Sequence, residues 1–282
     1  MKKLWLILDC DYLLHRALYV FGDLSHEGNP TGAIYGFLKN IISLCNKFGT
    51  PHVAFCFDSP RSKRKEIYPP YKENRVKKEK EVTKEMIYLQ NSYKEQKHIL
   101  RTKYLPMIGF KNIFYQSGYE SDDLIAMVKK AINFKNEDEA IIVSSDRDLY
   151  QLISRRVSWY NPQKKEIVNK AKFIKMFNIY PSQWGTVKAI AGCSGDNVKG
   201  VFGVGEKTAI AYLRDELPKR SKKFQCIRSE WGETVLKNVT LVKLPLRGCN
   251  PVKLKKDKLT QEGWDEVTMM LGMKRIQYHY IM

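Results

Sequence analysis

The chain has 282 residues, 43% hydrophobic and 28% charged, enough for one large core or for a main core with a smaller one beside it. Its 49 Lys and Arg against 30 Asp and Glu leave a net charge of +19, which predicts a polyanionic partner, nucleic acid first among them. No apolar run reaches membrane-span length and the six cysteines show no CxxC pairing, so a spanning protein and a disulfide scaffold are excluded and a soluble, intracellular monomer is expected.

Residues 4–8 form a short apolar run that ends in Asp9, too early for the apolar region of a signal peptide. Leu13, Leu14, Ala17, Leu18 and Phe21 follow at helical spacing. The breakers of 28–32 mark a loop, and a second amphipathic helix over 34–48 stops at Gly49. A second apolar run, 52–57, leads into Asp58. Short apolar runs alternating with helices predict an α/β fold with a central, mostly parallel sheet flanked by helices.

Residues 61–103 hold fourteen Lys or Arg against six acids, with Tyr68, Pro69, Pro70 and Tyr71 set among them. A charged run is most often a solvated helix face. Aromatics among the positive charges suit bases and phosphates better, and favour single-stranded or frayed nucleic acid. A short strand is expected at 113–115, then Gly118-Tyr119-Glu120-Ser121-Asp122-Asp123-Leu124, with Ser121 as N-cap of the next helix. A third run, 140–143, leads to Asp146 and Asp148, and a further strand is expected at 157–160. Residues 170–191 read as helix broken at Tyr180-Pro181. Glycines 200, 203 and 205 before a helix make a tight turn with free N–H groups, an anion-binding device that is neither Walker A nor a dinucleotide fingerprint. Residues 218–256, with eleven basic residues against Glu230 and Glu233, look loop-like; helix resumes over 263–276.

The acids gather where the strands end. Ligands of parallel sheets collect at the carboxyl ends of the strands. Crowded carboxylates repel one another, and hard divalent cations with oxygen ligands relieve that repulsion. A metal site built from acids is the expected chemistry. The five histidines lie apart from these motifs, and no Ser-His-Asp or Cys-His arrangement is supported.

In order along the chain, Leu8-Asp9, Tyr12–Arg16, Phe57-Asp58, Tyr68–Arg75, Gly118–Leu124, Ser145–Leu149 and Gly192–Ala209 resemble the motifs of the 5′ nucleases. These are the flap endonucleases and 5′–3′ exonucleases of bacteriophages and of bacterial DNA polymerase I. The resemblance implies a PIN-like core over 1–180 with a basic helical arch over 61–105, and a helix-hairpin-helix and duplex-binding region over 181–282. It places Asp9, Asp58, Glu120, Asp122, Asp123, Asp146, Asp148 and Asp196 on the family's metal-binding acids. Two or more Mg2+ ions are implied, with Mn2+ able to substitute. Lys72, Arg75 and Arg64 fall on basic arch positions that act near the scissile phosphate. Tyr71 falls on a base-stacking aromatic; Lys77 and Lys78, in the same basic stretch, are expected to bind DNA through its phosphates. Gly200, Gly203, Gly205 and Lys207 fall on the hairpin, which in relatives grips duplex phosphates and holds K+.

The implied activity is metal-dependent hydrolysis of DNA at 5′ flaps, 5′ ends or junctions, with RNA–DNA hybrids as a further substrate. Without a polymerase region, the chain is similar to the phage-type enzymes that work in the cytoplasm of a bacterial host. The alternative is a DNA-binding protein that kept the fold without catalysis. One departure stands out: Cys193 stands where the family's pattern has an acid, and a thiol suits Mg2+ poorly. Cys10, in place of a common glycine, is a lesser one.

Overall fold

A computed structural model describes residues 2–77 and 84–273. Its centre is a six-stranded sheet in the order Ile113–Phe114, His52–Cys56, Leu4–Asp9, Glu139–Val143, Val157–Asn161 and Glu166–Val168. The first five strands are parallel and the last is antiparallel. Leu4–Asp9 lies in the middle, with Leu8 opposite Phe55 on one side and Val143 on the other. The chain reverses its direction of strand addition here, which opens a crevice at the carboxyl ends. Asp9, Asp58 and Asp146 all stand at that edge.

Strand alternation sorts the core into two layers. Trp5, Ile7, Ala54, Cys56, Ala140, Ile142 and Trp159 face one side, where helices Ser121–Ala131 and Trp184–Ala191 cover them. Leu6, Leu8, Val53, Phe55, Ile141 and Val143 face the other, under helices Cys10–Phe21, Gly32–Phe48 and Gln261–Met270. Both faces are closed by helices, which is why these strands read as continuous apolar runs.

Several expected boundaries shift. The first helix begins at Cys10, with Asp9 as N-cap accepting from the Tyr12 N–H at 3.2 Å. Glu120, not Ser121, is the N-cap of Ser121–Ala131. Residues 147–152 form a 3-10 helix, and the stretch expected as loop contains helices Lys222–Ser229 and Leu236–Val242. The apolar positions in that stretch, such as Ile227 and Leu241, are buried, so packing overrides its high charge. The last helix ends at Met270; residues 274–276 of its expected span lie outside the described residues.

Candidate active site

Four carboxylates at or beside the strand edge form no ion pair among the described residues: Asp9, Asp58, Asp122 and Asp146. Asp9 is buried and accepts from the Ser144 hydroxyl at 2.7 Å and the Ser121 hydroxyl at 3.3 Å. Asp58 accepts the Ser121 N–H at 2.5 Å, so the helix N-terminus points at it. Burial, then Asp58, pushes the Asp9 carboxyl up to about 7. Burial and then Asp11 raise Asp58. Burial, then Asp146, Asp9, Asp58 and Glu120, raise Asp122 well above the usual range. Asp146 is raised by desolvation within the cleft and then by Asp148, although its exposure to solvent screens much of that effect.

Such a group fits a hard divalent cation by its chemistry: every donor is oxygen, and the negative charge is uncompensated. Among the described residues, no three His, Cys, Asp or Glu side chains are grouped tightly enough to ligate one ion as they stand. The carboxylates would have to draw together about it.

The raised carboxyls make a stability prediction. Between about pH 4 and pH 7 the folded chain keeps protons that the unfolded chain has released, so this group's contribution to stability falls as pH rises. Without divalent ions, the melting temperature should drop by at least about 5 °C more in the wild type than in Asp9→Asn between pH 5 and pH 8. Adding Mn2+ at pH 8 should restore the wild type. Equal slopes for the two proteins would show that Asp9 carries no such strain.

Other acids are held by the chain itself. Lys72 Nζ lies 2.8 Å from Glu120 Oε1 and 3.9 Å from Asp196 Oδ1. Arg75 pairs with Asp196 at 2.8 Å. Burial would raise Glu120, but Lys72 and Arg64 outweigh it and hold the carboxyl below its usual range. Lys188 pairs with Asp148 at 2.9 Å and Glu206 at 3.0 Å. Cys193 is buried, with its thiol 3.6 Å from Asp148 Oδ2; burial and then Asp148 push it well above its usual value, so it is neutral.

Three expected roles are corrected. Asp123 is fully buried and its carboxylate is taken up by the chain: Arg64 grips both its oxygens, at 2.6 and 2.7 Å, and it also accepts the N–H groups of Leu246 and Glu120. Arg64, 2% exposed, also donates its Nε–H to Leu241 O at 2.8 Å and lies 3.7 Å from Glu120 Oε2, so it is enclosed by the chain's own acceptors and presents nothing to a phosphate. Tyr71 is 3% exposed and donates its hydroxyl to Glu120 at 3.0 Å, so its ring is covered rather than open to a base. The Arg64–Asp123 pair fastens the start of the basic stretch to the core. Breaking it leaves a buried charge, so Arg64→Ala should cost about 3–5 kcal/mol in urea unfolding. Arg64→Lys should recover only part, having no fork to match the carboxylate. Wild-type stability in Arg64→Ala would remove this structural role.

The glycine turn joins helices Trp184–Ala191 and Glu206–Leu213, which pack together as a helix-hairpin-helix. A Cβ on Gly200 would stand 2.2 Å from the Ala191 carbonyl carbon, and Gly203 has φ +71°, so each must be glycine. Nothing crowds Gly205. Lys207 is exposed, and Phe202 at the tip is 90% exposed. Lys78 and the side chain of Lys77 lie outside the described residues.

Sequence reading missed three contributors. Ser144 bridges Asp9 and the Asp146 N–H, the latter at 3.0 Å. Asp11 accepts the Asp58 N–H at 2.7 Å and the Tyr93 hydroxyl at 2.7 Å, and pairs with Lys97. Lys188 lies in a stretch read only as helix, where nothing in its spacing sets it apart. For Asp11 the signal was present, two residues from Asp9 and at the same strand end.

A family description, the 5′–3′ exonuclease N-terminal resolvase-like domain, matches residues 4–178. The chain is similar to the 5′–3′ exonuclease of Aquifex aeolicus, 34% identical over 232 residues, covering 80% of this chain and 75% of that one. It is 30% identical to the thermostable DNA polymerase I of Thermus thermophilus, over 84% of this chain but only 25% of the polymerase. Its fold matches a solved T5 5′-exonuclease described with bound divalent zinc, with TM-score 0.70 and 23% identity over 86% of this chain and 90% of that one.

Proposed function

Because the chain belongs to the 5′–3′ exonuclease family, we propose that it cleaves DNA phosphodiesters at 5′ flaps, 5′ ends and single-strand/duplex junctions, with Mg2+ as its cofactor. The observation that carries this reading is the uncompensated acid group, Asp9, Asp58 and Asp122, at the carboxyl edge of the sheet beside Lys72 and Arg75. Those acids, with Asp146, would hold the divalent cation, which when bound supplies Lewis acidity at the scissile phosphate.

The chain's own groups do the positioning. Ser144 and Ser121 fix the Asp9 carboxylate, and the Ser121 N–H fixes Asp58. Lys72 and Arg75, parked on Glu120 and Asp196, are placed to move onto a phosphate and offset the charge that builds in the transition state. The hairpin around Gly200–Gly205, with Lys207, takes the duplex backbone; its turn carries no acidic side chain, so K+ there would rest on main-chain carbonyls. Residues 1–180 then act as the catalytic unit and 181–282 as the duplex-holding unit of a monomer.

The test compares a 5′-labelled flap, a blunt duplex and an RNA–DNA hybrid, with and without Mg2+. Release of short 5′ products from the flap only with Mg2+ is expected, and cleavage of the hybrid would extend the substrate class to RNA primers. DNA binding without cleavage under any divalent ion would leave a non-catalytic binding protein.

A further inference from the structure

We infer that the chain fills its own second cation position: the ammonium of Lys188 stands in for a second divalent ion. This rests on the metal-dependent reading above and refines it.

The acids of the cleft fall into two groups with opposite charge balance. Asp9, Asp58 and Asp122 form no ion pair among the described residues. The second group, Asp148 and Asp196 with Glu206 beside them, is already neutralised by three cations, Lys188, Arg75 and, on Glu206 at 3.3 Å, Arg147. Lys188 Nζ bridges Asp148 Oδ1 at 2.9 Å and Glu206 Oε1 at 3.0 Å, and Arg75 takes Asp196. Lys188 is not a loose surface lysine. It is 14% exposed, rises from helix Trp184–Ala191, and lies 5.9 Å from the Trp184 ring centroid. Asp148 in turn donates its N–H to Asp146 Oδ1 at 2.7 Å, so the ammonium also steadies the acid shared with the first group.

Cys193 completes the argument. Its thiol points at the other oxygen of Asp148, at 3.6 Å, and adds no charge to the site. A divalent ion entering here would have to displace a bridging ammonium from two carboxylates. In return it would gain one soft, neutral sulfur. Mg2+ gives up its water reluctantly, and such a site offers little to replace it. The thiol and the lysine thus act in the same direction, one by withholding negative charge and the other by supplying positive charge. Lys188 is on this view a positioning residue, holding Asp148 and through it Asp146.

Electron paramagnetic resonance can count Mn2+ ions bound to the full chain in potassium chloride without DNA. The wild type is expected to bind one ion, and Asp122→Asn to lose it. The Cys193→Asp/Lys188→Met double variant should bind two, a twofold rise in stoichiometry, with a melting curve confirming that it is folded. The magnesium dependence of its cleavage rate should steepen from first to second order. Two ions of similar affinity on the wild type, or one ion on the folded double variant, would overturn the inference and leave the metal-dependent reading standing. No ion on the wild type would overturn both.

Discussion

Asp122→Asn should lower single-turnover cleavage of a 5′-labelled flap by at least about 10³-fold, equivalent to about 4 kcal/mol of transition-state stabilisation. Asp122 stands in the first turn of helix Ser121–Ala131, surrounded by the charges of Asp146, Asp9, Asp58 and Glu120. Asparagine has the same shape and leaves that turn intact, so the fold should survive. What disappears is one anionic oxygen donor and the repulsion it caused. DNA affinity measured in EDTA should therefore be unchanged or tighter, and the metal-free melting temperature should rise. Magnesium-dependent turnover close to the wild type would sink the assignment of the acid group. Asp123→Asn, one residue along, should behave differently, with lost stability as its first symptom because its carboxylate is the counter-ion of Arg64.

Lys72→Ala should slow single-turnover cleavage by about 10²–10³-fold while changing DNA affinity by less than about threefold. The backbone at Lys72 is left-handed, φ +57°, an uncommon conformation for a residue with a side chain. Its N–H donates to Asp196 O at 2.9 Å and its ammonium reaches back to Glu120, so the lysine is aimed into the cleft rather than along the surface. A charge placed this way counts most when the phosphate gains charge. Neutralising Lys77 and Lys78 should have the opposite profile: weaker binding, a shallower salt dependence from fewer released counterions, and little effect on the bound rate. If Lys72→Ala loses only affinity, in step with those two, its catalytic placement is wrong.

The sheet was legible in the sequence because its inner strands are covered on both faces, which leaves uninterrupted apolar runs with acids at their ends. The same logic located Asp9, Asp58, Asp122 and Asp146 at one edge. Spacing could not tell which of two adjacent acids turns inward, and Asp122 and Asp123 went to opposite fates. Asp123 is taken by Arg64, fifty-nine residues away in the chain, and no local pattern announces such a pair. Tyr71 misled for a related reason: an aromatic among lysines reads as exposed, yet this one is roofed over and bonded to Glu120. The helices of the basic stretch after 218 were hidden because charge dominates their composition, while a few buried apolar positions decide their structure.

The central strand Leu4–Asp9 is also synthesised before either of the strands that flank it. Its partners on the two sides come from residues 52–56 and 139–143, and Asp196 joins the cleft later still. At roughly 5–20 residues per second, about 10–40 seconds pass between synthesis of Asp9 and synthesis of Asp196. During that interval no nascent chain can complete the cleft, because Asp196, the partner of Arg75, is still missing. On the proposed reading, a chain still tethered to its messenger is thereby inactive by order of synthesis, and the glycine hairpin proposed to hold duplex DNA follows directly behind the last of these acids.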